Sequence, residues 1–253
     1  MEYIRLGKTN HLVSRVAFGA MNLDKIGDDE SVATLIRTAY EAGINFFDTS
    51  KKTPASEKLL GDSLFDYRKN VFLSTSTSSK TASEIEEDLE ESLMALHTDY
   101  LDLYQLEIEK FLPVPPGADK IYQTLMKFKS QGKIKNIGIL TTNYETAKKA
   151  AELNLYDCIQ FPLNVLNYDS IKDLVPLCEK QDLGFIAMQP LCGGVVENIP
   201  LAMGFMNQFE SVVPLWGMKS IDELNQILYF NEHKPEIDEK FQADVEHLRN
   251  FFN

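Results

Sequence analysis

Apolar positions along this chain follow two rhythms that alternate from Arg15 onward: short continuous runs of strand type, then spacings of three and four of helical type. Val16-Ala17-Phe18-Gly19 reads as the first strand, and Val32, Leu35, Ile36, Ala39 and Tyr40 form a helical stripe that stops at Gly43. Ile44 to Asp48 is the second strand, with a helix near Ala55 to Leu64. Val71 to Thr75 is the third, and its helix carries Ile85, Leu89, Leu93 and Leu96. Tyr100 to Leu106 is the fourth, with Lys120 to Phe128 in the helix after it. Lys135 to Leu140 and a helix from about Tyr144 to Leu153 make the fifth unit. Asp157 to Phe161 and a helix from about Ser170 to Glu179 make the sixth. Gly184 to Met188 is followed by a short helix near Leu201 to Asn207, and Val212 to Leu215 by a helix near Ile221 to Leu228.

Eight strand–helix alternations with no low-complexity linker predict an α/β fold, a closed parallel (β/α)8 TIM barrel forming one domain over residues 1–253. The continuous apolar strands fit a sheet covered on both faces. Residues 3–13 read as a short hairpin or plug before the barrel, and residues 235–252 as an extra C-terminal helix. In that helix Pro235 suits a first helical position, Glu236, Asp238 and Glu239 the first turn, and Arg249 the last. Its stripe of Ile237, Phe241, Val245, Leu248 and Phe252 needs a surface to cover: the barrel, or alternatively a partner. The acidic run Glu84 to Glu91 reads as the solvated face of the third helix.

Composition narrows the class. With 44% apolar and 25% charged residues the chain is an ordinary globular protein rather than a disordered or fibrous one. A formal charge of −13 argues against nucleic acid as partner, though not against a small anionic ligand held by a local lysine. Cys158, Cys178 and Cys192 have the spacing of neither a disulfide framework nor a zinc knuckle, and read as thiols of a reducing compartment. The N-terminus has no apolar signal core, and no run approaches the roughly 18 apolar residues of a membrane span. The expectation is a cytoplasmic protein with no membrane contact.

Barrel chemistry belongs at the C-terminal ends of the strands. The titratable groups there are Asp48, Lys51, Lys52, Lys80, Glu107, Glu109 and Lys219, while His11, His97, His233 and His247 all fall elsewhere. Scattered carboxylates without clustered His or Cys predict no metal site, and no glycine-rich phosphate loop is found.

Specific motifs then add a resemblance. Tyr3-Ile-Arg-Leu-Gly-Lys-Thr, Phe18-Gly19-Ala-Met, Gly43-Ile-Asn-Phe-Phe-Asp-Thr, Ser56-Glu57-Lys-Leu-Leu-Gly61 and Thr98-Asp-Tyr-Leu-Asp-Leu-Tyr-Gln-Leu resemble aldo-keto reductases, in that family's order. Gly132-Lys-Ile-Lys-Asn-Ile-Gly138, Gln160-Phe-Pro-Leu-Asn164, Ala187-Met-Gln-Pro-Leu-Cys-Gly-Gly194 and Gly217-Met-Lys-Ser220 continue the likeness, which runs from residue 3 to about 228. It is nearest the bacterial and archaeal branch that often ends in an iron–sulfur cysteine cluster. This sequence ends at Phe251-Phe252-Asn253, about where such a cluster would begin, so no cluster is implied.

The resemblance implies an NADPH-dependent carbonyl reductase with an Asp, Tyr, Lys and His tetrad, in which the phenol protonates the developing alkoxide. Asp48 matches the aspartate. Thr53 stands where the tyrosine belongs, Ser76 where the lysine belongs and Glu107 where the histidine belongs. An aliphatic hydroxyl is a far weaker acid than a phenol, and Glu107 puts negative charge where a developing oxyanion needs the opposite. Leu140 stands where the family places a serine, while Gln160 and Asn164 match carboxamide-binding positions. Lys219 and Ser220 match a segment that meets the cofactor phosphates, followed by Asp222 and Glu223 rather than arginine. NADPH binding is expected to be weakened but possible.

Three readings follow. The first is a non-catalytic or regulatory barrel holding a small molecule at its mouth or a protein partner. The second is a repurposed pocket doing proton transfer or lyase chemistry with Asp48 and Glu107 as a carboxylate pair and Lys51, Lys52 or Ser76 nearby. The third is a residual NAD(P)H-dependent oxidoreductase with a substitute proton donor such as Lys51.

Overall fold

A computed structural model describes residues 1–252; Asn253, the last residue of the expected domain, lies outside them. The barrel strands are β3 (Ala17–Gly19), β4 (Phe46–Asp48), β5 (Phe72–Thr77), β6 (Leu101–Glu107), β7 (Ile134–Leu140), β8 (Cys158–Pro162), β9 (Gly184–Met188) and β10 (Val212–Gly217). All neighbours pair in parallel, and β10 pairs with β3 to close the ring. Helices α1 (Asp29–Glu41), α2 (Pro54–Leu64), α3 (Ala82–Ala95), α4 (Ile121–Ser130) and α5 (Tyr144–Leu153) follow the first five barrel strands. They are continued by α6 (Tyr168–Ile171), α7 (Leu174–Lys180), α8 (Ile199–Met206), α9 (Ile221–Glu232) and α10 (Glu239–Phe252). The expected (β/α)8 barrel is the observed one.

A hairpin of β1 (Tyr3–Arg5) and β2 (Leu12–Ser14) precedes it. Leu6 and Val13 are fully buried and pack with Ala17, Phe46, Phe72, Leu103, Cys158 and Ile186 inside the barrel, so the hairpin stoppers one end with apolar side chains. Gly7 makes that approach possible. It has φ +49°, and a Cβ there would stand 2.2 Å from the backbone nitrogen of Gly184.

Period-two alternation along β4, β5 and β6 turns Phe46, Phe72 and Leu103 inward at the plugged end. It turns Asp48, Ser74, Ser76, Gln105 and Glu107 inward toward the opposite mouth. The interior thus grades from apolar to polar along its axis, and the polar end is the one formed by the strands' C-termini.

Two expectations are corrected. The helix expected over Ser170 to Glu179 is two pieces, because Pro176 is tolerated in the first turn of α7 but its ring bars a continuous helix arriving from upstream. The C-terminal helix starts at Glu239 rather than residue 235, since Asp238 Oδ1 accepts the Phe241 N–H at 2.8 Å and leaves Pro235 and Glu236 outside it. The acidic run on α3 is the solvated face expected of it, with Glu84, Glu87, Glu90 and Glu91 exposed, and several of its acids meet partners there. Glu86 meets Lys127 at 2.9 Å, Glu91 meets Lys51 at 2.6 Å, Glu90 pairs with Lys133, and Asp88 accepts from Thr77 and Ser79.

Phe241 and Val245 of α10 are buried, with Phe241 against Gly204 of α8, so the helix does cover the barrel's flank. Among the described residues no helix is long and apolar enough to cross a membrane.

Candidate functional site

The mouth is built around Asp48, the last residue of β4, only 1% exposed. Gln105 Nε2 lies 3.1 Å from its Oδ1, and Gln160 Nε2 lies 3.3 Å from its Oδ2. Gln105 Nε2 is also 3.0 Å from Ser74 Oγ and 2.8 Å from Gln160 Oε1, which ties β4, β5, β6 and β8 into one polar layer. Burial raises the Asp48 carboxyl to about 6, against the opposing pull of hydrogen bonds from Ser74, Gln160 and Gln105. Gln105 Oε1 is buried without a partner among the described residues.

Above this layer each expected residue has its own partner. Ser76 Oγ donates to Ser50 Oγ at 3.0 Å. The Thr53 hydroxyl donates to the Ser50 carbonyl at 3.2 Å, just before Pro54 opens α2. Glu107, at the end of β6, forms an ion pair with Lys52 at 2.5 Å, and Lys80 Nζ donates to the Glu107 carbonyl at 3.1 Å. Glu109 accepts from the Thr142 N–H and from the hydroxyls of Thr141 and Thr142, pinning the loop after β7.

Two sequence expectations fail here. Asp48 and Glu107 do not pair: amides hold the first and an ammonium holds the second. Lys51 does not enter the mouth. Its N–H bonds to the Ser76 carbonyl at 2.8 Å, continuing the β4–β5 pairing, and alternation sends its side chain outward to Glu91 on α3. Gln105 is the residue that sequence reasoning missed. The available signal was its place between Leu103 and Glu107 on the inward face of β6.

Gln160 and Asn164 sit on β8 and the loop beyond it. Gln160 is 2% exposed with both amide ends engaged by Asp48 and Gln105. Asn164 Nδ2 donates to the Gln189 carbonyl at 3.2 Å, and its Oδ1 accepts from Leu166 and Asn167 N–H groups. Lys219 and Ser220 lie at the start of α9, in a cleft shared with the start of α1. Ser220 Oγ caps α9 by accepting the Glu223 N–H at 3.2 Å, and Glu223 Oε2 accepts the Lys219 N–H at 2.8 Å. Among the described residues no group of three or more His, Cys, Asp or Glu is arranged to hold a metal ion.

A closed parallel barrel with a polar strand-end mouth occurs in many families, so comparison with known proteins decides among them. The profile of the Aldo/keto reductase family matches residues 15–228. The chain belongs to the aldo-keto reductase family. Among its relatives, the protein named "Probable aldo-keto reductase 1" of Glycine max is 26% identical over 223 residues, covering 78% of this chain and 63% of that protein. L-galactose dehydrogenase of Arabidopsis thaliana is 28% identical over 215 residues, covering 78% of this chain and 67% of that protein. The chain therefore spans about two thirds of the length of these relatives. The holo form of aldo-keto reductase AKR11C1 from Bacillus halodurans superposes with a TM-score of 0.83 at 20% identity, covering 98% of this chain and 96% of that one.

Aldo-keto reductases typically bind NADP(H). The groups present here do not fit its phosphate-bearing end. The cleft beside α9 sets Lys219 among the carboxylates of Asp28 and Glu30, and Glu223 Oε2 already accepts the Lys219 N–H. At the other end the amides of Gln160 and Asn164 are spent within the barrel and its loops.

Proposed function

We propose that this chain keeps the aldo-keto reductase barrel without the family's carbonyl-reducing step, and works as a binding barrel for a small ligand at its mouth or for a protein partner. The observation that carries this reading is the state of Thr53. It is the residue that resemblance puts at the phenol's position, and its hydroxyl proton is directed into the Ser50 carbonyl. Ser76 brings no cation to acidify it, and the nearby ammonium of Lys52 is bound to Glu107. A missing general acid costs about 10²–10⁴-fold in rate. A missing oxyanion donor costs about 10²–10³-fold more.

The second reading, proton transfer at Asp48, has one observation in its favour: a carboxyl near pH 6 is poised for acid–base work at neutral pH. Its 1% exposure and its two amide partners stand against contact with a ligand. The free thiols Cys158, Cys178 and Cys192 support the expectation of a cytoplasmic setting.

Steady-state assays with NADPH and with NADH against a panel of aldehydes and ketones test the proposal. The expected outcome is consumption indistinguishable from the enzyme-free rate for every pair. Robust turnover of any carbonyl substrate would overturn it.

A further inference from the structure

Helix α10 packs on the barrel's flank, yet its last turn reaches the mouth. Near its start, Phe241 seats against Gly204 of α8. Arg249 stands about 12 Å further along the helix axis. Its Nε donates to the Val165 carbonyl at 2.7 Å, and its Nη1 meets Asp169 at 3.1 Å. Val165 is fully buried in the loop that leaves β8 at the barrel's C-terminal end. Asp169 is exposed, so its ion pair contributes little. The bond to Val165 is charge-assisted and half-buried, and is the stronger hold.

The loop held in this way supports its neighbour. Asn164 Nδ2 donates to the Gln189 carbonyl at 3.2 Å, tying the loop after β8 to the loop after β9. Gln189 has φ +58°, a left-handed conformation that surrounding contacts must maintain in a residue other than glycine. The helix itself is lightly anchored. Phe241 and Val245 are its buried residues, Phe251 and Phe252 are exposed, and the segment from His233 to Lys234 that leads to it is exposed as well. An element with so little buried apolar surface opens at lower free energy than the barrel around it. We propose that α10 is a strap that regulates the mouth. Docked, it holds the loop after β8 and, through Asn164, the loop after β9. Released, it frees both and opens the mouth to ligand exchange. The proposal rests on the mouth being the ligand site, whereas its test needs neither ligand nor turnover.

Hydrogen–deuterium exchange of the intact chain, read peptide by peptide, tests the strap. In the parent protein, α10 and residues 163–169 are expected to exchange through one common opening, ahead of β5 and β6. Arg249→Gln is expected to speed exchange in residues 163–169 by about tenfold or more, the loss of one charge-assisted hydrogen bond. Phe241→Ala is the sharper variant, because its ring meets α8 at Gly204, away from Arg249. It is expected to speed α10 and residues 163–169 by a common factor of about tenfold or more. A loop that keeps the parent rate in either variant overturns the proposal. So does a loop that exchanges only together with β5 and β6 in the parent protein.

Discussion

Asp48 is almost fully enclosed in a barrel whose nearby lysines are engaged elsewhere, Lys51 with Glu91 and Lys52 with Glu107. Amide hydrogen bonds soften the cost of its burial but do not cancel it, and the carboxyl titrates at about 6 instead of 3.8. A carboxyl whose folded value is raised binds its proton more tightly in the native state. Native stability from this group is therefore greatest at low pH and falls as pH rises from about 4 to above 6, by about 3 kcal/mol in all. Asp48→Asn removes that term. Urea unfolding of both proteins between pH 4 and pH 7.5 is expected to show the variant gaining on the parent by about that amount, and a constant difference across the range would contradict the assignment. Much at this scale was legible in the sequence, because alternation along β4 and β6 points Asp48 and Glu107 inward whatever surrounds them. The partners were not legible. Gln105 has no charge to mark it, and the direction of Lys51 depends on a β4–β5 pairing that persists past the end of the strand.

Helix α10 shows what an amphipathic stripe does and does not determine. Five apolar positions called for a covering surface, and the structure buries two of them, Phe241 and Val245, while Ile237 and Phe252 stay 44% exposed. The close approach depends on Gly204, where any Cβ would stand 2.7 Å from the Phe241 ring. Phe241→Ala should lower unfolding free energy by about 3 kcal/mol in denaturant titration, and a loss under about 1 kcal/mol would show that α10 is held by other contacts. Helix boundaries were less legible than helix existence. Competing caps at Pro235 and Asp238 both suit a helix start, and the side-chain bond from Asp238 decides between them. On α3, spacing identified the core stripe of Ile85, Leu89 and Leu93, but the lysines that meet its acids come from α4, the turn after it and the loop after β4, at long sequence separation.

For the whole molecule, eight alternations with no linker leave little choice but a closed parallel barrel, and all eight strands appear in the expected order. The net charge of −13 gains a location at this scale. Glu107 is neutralised locally by Lys52, whereas the α1–α9 cleft keeps more carboxylates than cations. Weak cofactor binding and a missing proton donor would both silence a steady-state assay, so the central claim needs them separated. Single-turnover hydride transfer, followed as absorbance of the reduced nicotinamide at concentrations that saturate the protein, does so. With cofactor bound and a reactive aldehyde in excess, the account predicts a decay no faster than the protein-free control. A decay within about tenfold of an intact aldo-keto reductase under the same conditions, a difference below ~1.4 kcal/mol in barrier, would contradict it.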